Sequence, residues 1–171
     1  AGFDFDLLDI DVNAYDDDTV ERYIRNNQYD VIALGSIVTH YKWIKWFTKT
    51  VRKYQPHCKI ILGNSVGSSI PDLAMNNMPV DVVVTGEGDI TTVEVLRAFR
   101  DGQRLIPLPE DSQHNKVGQL MQIGKKVRGD GASIPGLVFR SETGEVINNG
   151  LRKAVRKIDD LPFPDWDLFD I

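Results

Sequence analysis

Three short segments rich in glycine, serine and threonine could hold a ligand. They are residues 35–40, 63–69 and 85–89, and each is predicted to form a loop after an apolar run. Small residues allow a bulky ligand to reach backbone amides, and hydroxyl groups can hydrogen-bond to its periphery. One such segment commonly does no more than turn the chain from a strand into a helix. Three in succession favour a binding role.

Residues that could perform catalysis or hold a metal are sparse. The run Gly86-Glu87-Gly88 lacks the third glycine of a dinucleotide fingerprint. Glu87 precedes an expected helix, where stabilisation by the helix dipole is a commoner duty for an acid than catalysis. His40 has no neighbouring metal-ligand spacing, and Cys58 enters an apolar run, where it is expected to act as a small hydrophobe. We therefore predict no catalytic residue and no metal ligand in this chain.

The elements that must position these segments follow from hydrophobic patterning. Apolar runs occur at residues 3–10, 31–34, 60–62 and 82–84. The last three are continuous, as in parallel strands buried on both faces, whereas the first alternates apolar with acidic residues, as in an edge strand. Helices are predicted over residues 41–54, 71–78 and 90–99, and a further helix of about ten residues begins with Asp18 and Glu21 as a capping box.

This alternation of strands and helices predicts an α/β fold, an open parallel sheet with flanking helices. Residues 1–102 would form the core. Residues 103–133 are expected to be a mobile loop insertion, and residues 134–150 a β-hairpin appended to the core. Residues 151–171 contain closely spaced prolines and are predicted to be an extended linker.

Composition excludes several functional classes. The chain has 171 residues and a formal net charge of -5, so it has no overall basic field to attract nucleic acid. No apolar stretch approaches the length of a membrane helix. Its one cysteine can form no internal disulfide and cannot alone supply an iron-sulfur site. We expect a soluble cytoplasmic protein with no nucleic-acid or membrane partner.

Several motifs resemble the cobalamin-binding domain that precedes the catalytic barrel in cobalamin-dependent radical S-adenosylmethionine enzymes. They are residues 29–36 (YDVIALGS), 60–64 (IILGN), 80–89 (VDVVVTGEGD), 134–139 (IPGLVF) and 161–165 (LPFPD). The resemblance covers nearly the whole chain outside residues 103–132. It implies a flavodoxin-like or Rossmann-like cobalamin-binding fold that here lacks the family's first strand and helix.

The resemblance also implies a site and partners. The first segment would face the corrin ring, and the other two would border the slot for its nucleotide tail. The implied cofactor-binding residues are Ser36, Ile37, Val38, Thr39, Gly63, Asn64, Ser65, Thr85, Gly86, Glu87 and Gly88. A radical domain carrying an iron-sulfur cluster and S-adenosylmethionine would follow residue 171. Without the first strand, residues 3–10 are expected to pair irregularly or to swap between chains in a dimer.

Two other interpretations stay open. Gly63-Asn64 stands where many cobalamin domains have two glycines, which favours a degenerate structural or interaction domain that has lost its corrin. An independent small enzyme that binds a flavin or nucleotide is the third, although no complete phosphate loop supports it. The main hypothesis is a module that orients cobalamin for methyl transfer or related radical chemistry such as ring closure.

Overall fold

The computed structural model describes residues 2–109, 131–157, 159 and 161–163. Its elements are α1 (Asp17–Asn26), β1 (Val31–Gly35), α2 (Tyr41–Tyr54), β2 (Lys59–Gly63), α3 (Asn64–Ser69), α4 (Pro71–Asn77), β3 (Val82–Val84), α5 (Gly88–Arg100), β4 (Arg104–Leu105), β5 (Gly131–Ala132), β6 (Leu137–Arg140) and β7 (Val146–Asn148). A short 3-10 helix, Val38–His40, leads into α2.

A five-stranded sheet in the order β1-β2-β3-β6-β7 organises the molecule. β1, β2 and β3 are parallel, whereas β6 and β7 continue the sheet as an antiparallel hairpin. The predicted open parallel sheet with flanking helices is confirmed. The hairpin is more than an appendage, because β6 pairs directly with β3 through Val83 and Val138.

Alternate residues of the strands supply two hydrophobic cores. Ile60 and Leu62 face the helices α1 to α4, and Ile61 between them faces the side covered by α5. This is the period-two alternation of a strand buried on both faces. The same prediction for β1 is wrong, because β1 is at the edge of the sheet and none of its residues is buried. The two cores fix the position at which each strand ends, and with it the position of the segments that follow.

Helix positions agree with the hydrophobic periodicity, but one predicted cap is wrong. α2 has the predicted bounds, and α5 ends two residues before Gly102. The N-terminus of α1 is capped by Asp16, whose carboxylate accepts a hydrogen bond from the Thr19 amide at 2.8 Å, and not by Asp18. Asp16, Asp17 and Asp18 are consecutive, so sequence alone offered three candidate caps.

The predicted strand over residues 3–10 is wrong. Among the residues that the structure describes, none of these pairs with a strand, and β1 pairs only with β2. The segment is held by side chains instead: the Tyr29 hydroxyl donates to Asp6 at 2.7 Å, Arg100 lies 5.4 Å from the centroid of the Phe3 ring, and Ile10 packs on the core. Alternation of apolar and acidic residues permits a strand, but the pattern alone does not make a segment pair with an edge such as that of β1.

The remaining predictions concern the C-terminal half. β4 and β5 pair in parallel near the two ends of the predicted insertion. Residues 110–130, on which most of that prediction falls, lie outside the described residues, as do residues 164–171 of the predicted linker. Residues 151–157 contain no helix or strand. In the part of the chain that the structure describes, no helix has the length and apolar character to span a bilayer.

Candidate functional site

The structure brings the three glycine-rich segments together at one edge of the sheet. Gly35 at the end of β1 lies in register with Gly63 at the end of β2, and β3 ends alongside at Val84. The chain therefore leaves all three strands at the same edge, which we call the carboxyl edge. Ligands of open α/β sheets bind at this edge.

The first segment presents apolar side chains beside hydroxyl groups. Ile37 is 50% exposed and Val38 42% exposed, so two consecutive aliphatic side chains face solvent at this edge. Thr39 is also exposed, and the Ser36 hydroxyl lies 3.2 Å from Nδ1 of His40. His40 therefore contacts Ser36 within the segment. The surface suits a ligand with an apolar face and a polar rim.

The second segment is helical, so the predicted loop over residues 63–69 is wrong. Asn64–Ser69 forms α3, and the Val66 amide donates to the Ser36 carbonyl at 3.2 Å, which joins this helix to the first segment. Asn64 has a φ of 59°, and its side chain accepts a hydrogen bond from the Ser65 amide. A Cβ built on Gly35 would lie 3.2 Å from the Asn64 Cβ. Asn64 thus occupies the space between the first two segments.

The third segment is hydrogen-bonded to the residue before β6 and to α3. The Thr85 amide donates to the Gly136 carbonyl at 2.8 Å, and the Gly86 amide donates to the Ser68 hydroxyl at 3.0 Å. The Thr85 hydroxyl has no partner among the described residues, although the residue is only 4% exposed. Such a group costs free energy when it is left unsatisfied. Glu87 precedes α5, and its carboxylate accepts a hydrogen bond from the Val155 amide at 2.8 Å.

Two glycines leave room for a ligand at this edge. Among the described residues, a Cβ built on Gly63 would meet no atom within 4 Å, and one on Gly86 would meet only Cδ2 of Leu151 at 3.8 Å. A Cβ on Gly88 would lie 3.3 Å from the Thr92 hydroxyl, so Gly88 is packed inside the turn into α5. Open glycines beside hydroxyls and exposed aliphatic groups fit a large, mostly uncharged ligand.

Sequence reasoning did not identify Ser68, Leu151 and Arg152 as neighbours of the third segment. Ser68 lies within a run that was already singled out, so its hydroxyl could have been included. The other two are more than sixty residues from Gly86 along the chain, and a single sequence carries no signal for such a contact.

Elsewhere, the described residues offer little competing chemistry. They contain no group of three or more histidine, cysteine or acidic residues that could hold a metal. Burial raises the pKa of the Cys58 thiol to about 11, so the thiol is protonated at neutral pH. A groove at the opposite edge of the sheet is lined by charged residues, but Lys59 is paired there with Asp81, and Arg104 with Glu142.

Comparison with known proteins gives two findings. A family model described as "B12 binding domain" matches residues 1–96, which is more than half of the chain. The chain is also 21% identical over 150 residues to a Pyrococcus horikoshii protein named as an uncharacterized methyltransferase. That match covers 87% of this chain and 27% of the relative, so the chain spans about a quarter of the length of the curated relative it matches.

Proposed function

The chain belongs to the B12-binding domain family, and we propose that its carboxyl edge binds cobalamin and orients it for a reaction performed elsewhere in the parent protein. The observation that carries this proposal is the meeting of three segments at one edge, with exposed aliphatic groups on the first and unfilled space at the glycine of the second. A corrin ring has an apolar face and an amide rim, and it needs both kinds of partner.

We assign the segments to different parts of the cofactor. The first segment would face the ring, where Ile37 and Val38 offer apolar contact and hydroxyl groups reach the rim. The second and third segments would border the nucleotide tail, because Gly63 and Gly86 leave space there. The proposed set is Ser36, Ile37, Val38, Thr39, Gly63, Asn64, Ser65, Thr85, Gly86, Glu87 and Gly88.

Thr85 supports the assignment independently. Its buried hydroxyl lacks a protein partner among the described residues. An orphaned buried hydroxyl beside a proposed ligand site has a physical reason to exist if the ligand, or a water bound with it, satisfies it.

The role of this chain would be binding and orientation. Bound cobalamin supplies the capacity to carry a methyl group or to take part in radical chemistry, and the reactivity belongs to the cofactor. The residues of the carboxyl edge hold the ring and tail and exclude water from the apolar side of the ring. We assign no catalytic residue to this chain.

The parent enzyme is a further part of the proposal. We propose that a radical S-adenosylmethionine domain with an iron-sulfur cluster follows this module, in the cytoplasm, and that the reaction is methyl transfer or a related radical step. The name of the Pyrococcus relative supports methyl transfer. In the same proposal, residues 1–102 form the cofactor module and residues 151–171 lead toward the radical domain. No strand of the described residues pairs with the outer edge of β1, and this edge would allow two copies to associate.

The experiment is a visible-absorption titration of the purified chain with hydroxocobalamin and methylcobalamin. Saturation at one equivalent, with a change in the corrin spectrum, supports the proposal. A spectrum identical to that of free cobalamin at every protein concentration would contradict it.

A second function is favoured by the position of Asn64. Its side chain lies against Gly35, and Ser68 holds the third segment close to the second, so the edge is partly filled by the protein itself. A domain of this family that has lost its cofactor would look like this and would serve only to pack against a partner domain. Absence of binding even to Asn64→Gly would favour this alternative.

A further inference from the structure

Residues 151–155, which we call the strap, follow β7 and lie along α5. Three residues on or beside α5 hold the strap: Glu87, Thr91 and Glu94, which are spaced four and three residues apart. This spacing places side chains on one side of a helix. These three residues, which we call the polar row, therefore bind a segment that is far from them in the sequence.

Both ends of the strap are anchored on that row. Arg152 donates from Nε to the Thr91 hydroxyl at 2.8 Å, and its Nη2 forms an ion pair with the Glu94 carboxylate. Three residues later, the Val155 amide donates to Glu87 at 2.8 Å. The contacts proceed from the second turn of α5 back to its N-terminus, so the strap runs toward the carboxyl edge.

The strap also touches the third glycine-rich segment. Cδ2 of Leu151 approaches to 3.8 Å from a Cβ built on Gly86. Gly136, with a φ of 78°, lies where a Cβ would come within 3.1 to 3.3 Å of the Thr91 hydroxyl, the Thr85 carbonyl and Cβ of Arg152. Only glycine combines that backbone conformation with so close an approach. The third segment, α5 and the strap therefore meet at one point.

Because of these contacts, docking of the strap also restrains the third segment. The side chains of Arg152 and Glu94 are 14% and 28% exposed, and removing one partner of such a pair leaves the other charge poorly solvated. Glu87 belongs to the third segment and also holds the strap. When the strap is docked, less conformational freedom remains for a ligand to remove from residues 85–88.

We propose that cobalamin binding at the third segment and docking of the strap stabilise each other, with Arg152 and Glu87 as positioning residues. This inference rests on the proposed function. Coupling between two equilibria is reciprocal, so bound cobalamin must protect the strap to the same extent that the docked strap strengthens cobalamin binding.

The test combines hydrogen exchange with a cobalamin titration on the full chain. Arg152→Met removes the side chain that binds Thr91 and Glu94. Arg97→Met is the matched control, because Arg97 is an exposed arginine on α5, the helix that holds the strap. We expect saturating hydroxocobalamin to slow amide exchange of residues 151–155 in the wild type. We expect Arg152→Met to speed that exchange without cobalamin and to raise the Kd by about fivefold or more. Arg97→Met should change neither.

Two results would overturn the coupling alone: cobalamin that binds the wild type without altering strap exchange, or Arg152→Met with a faster-exchanging strap and an unchanged Kd. If Arg152→Met does not fold, Glu94→Gln answers the same question with a nearly isosteric change. A wild-type chain that binds no cobalamin at all would sink the proposed function and the coupling together, and this result is distinct from the other two.

Discussion

The hydroxyl of Ser68 accepts a hydrogen bond from the amide of Gly86 at 3.0 Å, and this contact ties the second glycine-rich segment to the third. At its other end, the helix that carries Ser68 is joined to the first segment by the bond from the Val66 amide to the Ser36 carbonyl. The short helix α3 therefore spans the whole candidate site. The geometry of the edge depends on this helix.

Ser68→Ala should loosen the third segment. The substitution leaves the Gly86 amide to water, so we expect a loss of about 1 kcal/mol or less in the free energy of unfolding. We also expect weaker cobalamin binding, because residues 85–88 lose a restraint. Urea unfolding and an absorption titration measure the two effects. Ser69→Ala, one position along the same helix, is the control. Equal cobalamin affinity for both variants would show that the restraint does not matter.

Asn64→Gly should strengthen cobalamin binding. Glycine adopts the φ of 59° without cost and removes the side chain that lies against Gly35. Asn64→Ala is the informative comparison, because it keeps a Cβ in a left-handed conformation that costs about 1 kcal/mol. A titration of both variants is needed. An Asn64→Gly variant with unchanged cobalamin affinity would show that the nucleotide tail of cobalamin does not lie beside residue 64.

Arg52→Met should destabilise the fold without affecting the site. The guanidinium donates to the carbonyls of Pro56, Cys58 and Pro79 and forms an ion pair with Asp81. Losing these bonds at the edge opposite the candidate site should lower the free energy of unfolding by about 2 kcal/mol. Lys49→Met on the same helix is the control for urea unfolding. A changed cobalamin Kd in folded Arg52→Met would argue against a site confined to the carboxyl edge.

The Cys58 thiol should make the free energy of unfolding depend on pH above pH 9. Because burial raises the pKa of this thiol to about 11, the folded state keeps its proton between the unfolded pKa near 9 and that value. In this window the folded chain binds more protons than the unfolded chain, so stability is full below pH 9 and falls as the pH rises toward 11. Urea unfolding of the wild type and of Cys58→Ala at pH 8 and pH 10 measures the loss as the difference between the two proteins, because burial also raises the pKa of Tyr29. Rapid alkylation of the native protein at pH 8 would show that the thiol is not buried.

The sequence was informative wherever a local pattern decides the structure. Three continuous apolar runs predicted three parallel strands, although only β2 and β3 are buried as predicted. The periodicity around Ile44 and Val51 predicted α2. Local patterns failed where the outcome depends on a distant neighbour. Residues 3–10 have the pattern of a strand, but they pair with no strand in the described part of the chain. The segment after Gly63 is rich in residues that favour loops, and it becomes helical because Val66 is buried against the sheet.

The candidate site was accessible to sequence reasoning for a related reason. In a parallel sheet, topology alone sends the residues after each strand to one edge, so recognising the strands was enough to bring Ser36, Gly63 and Gly86 together. The strap was not accessible, because the contact between Glu87 and Val155 spans 68 residues and uses a backbone amide, which every residue type except proline provides.

The central claim, that cobalamin occupies the carboxyl edge, is tested most directly by an absorption titration that compares the wild type with Gly63→Leu. The backbone of Gly63 is extended, and a Cβ there meets no atom of the described residues within 4 Å, so a leucine side chain has room to enter the proposed tail space. Ala33→Leu, an exposed position on β1, is the control for added bulk. We predict one equivalent of cobalamin bound by the wild type and by Ala33→Leu, and at least tenfold weaker binding by Gly63→Leu, about 1.4 kcal/mol. Equal binding by all three proteins would contradict the account.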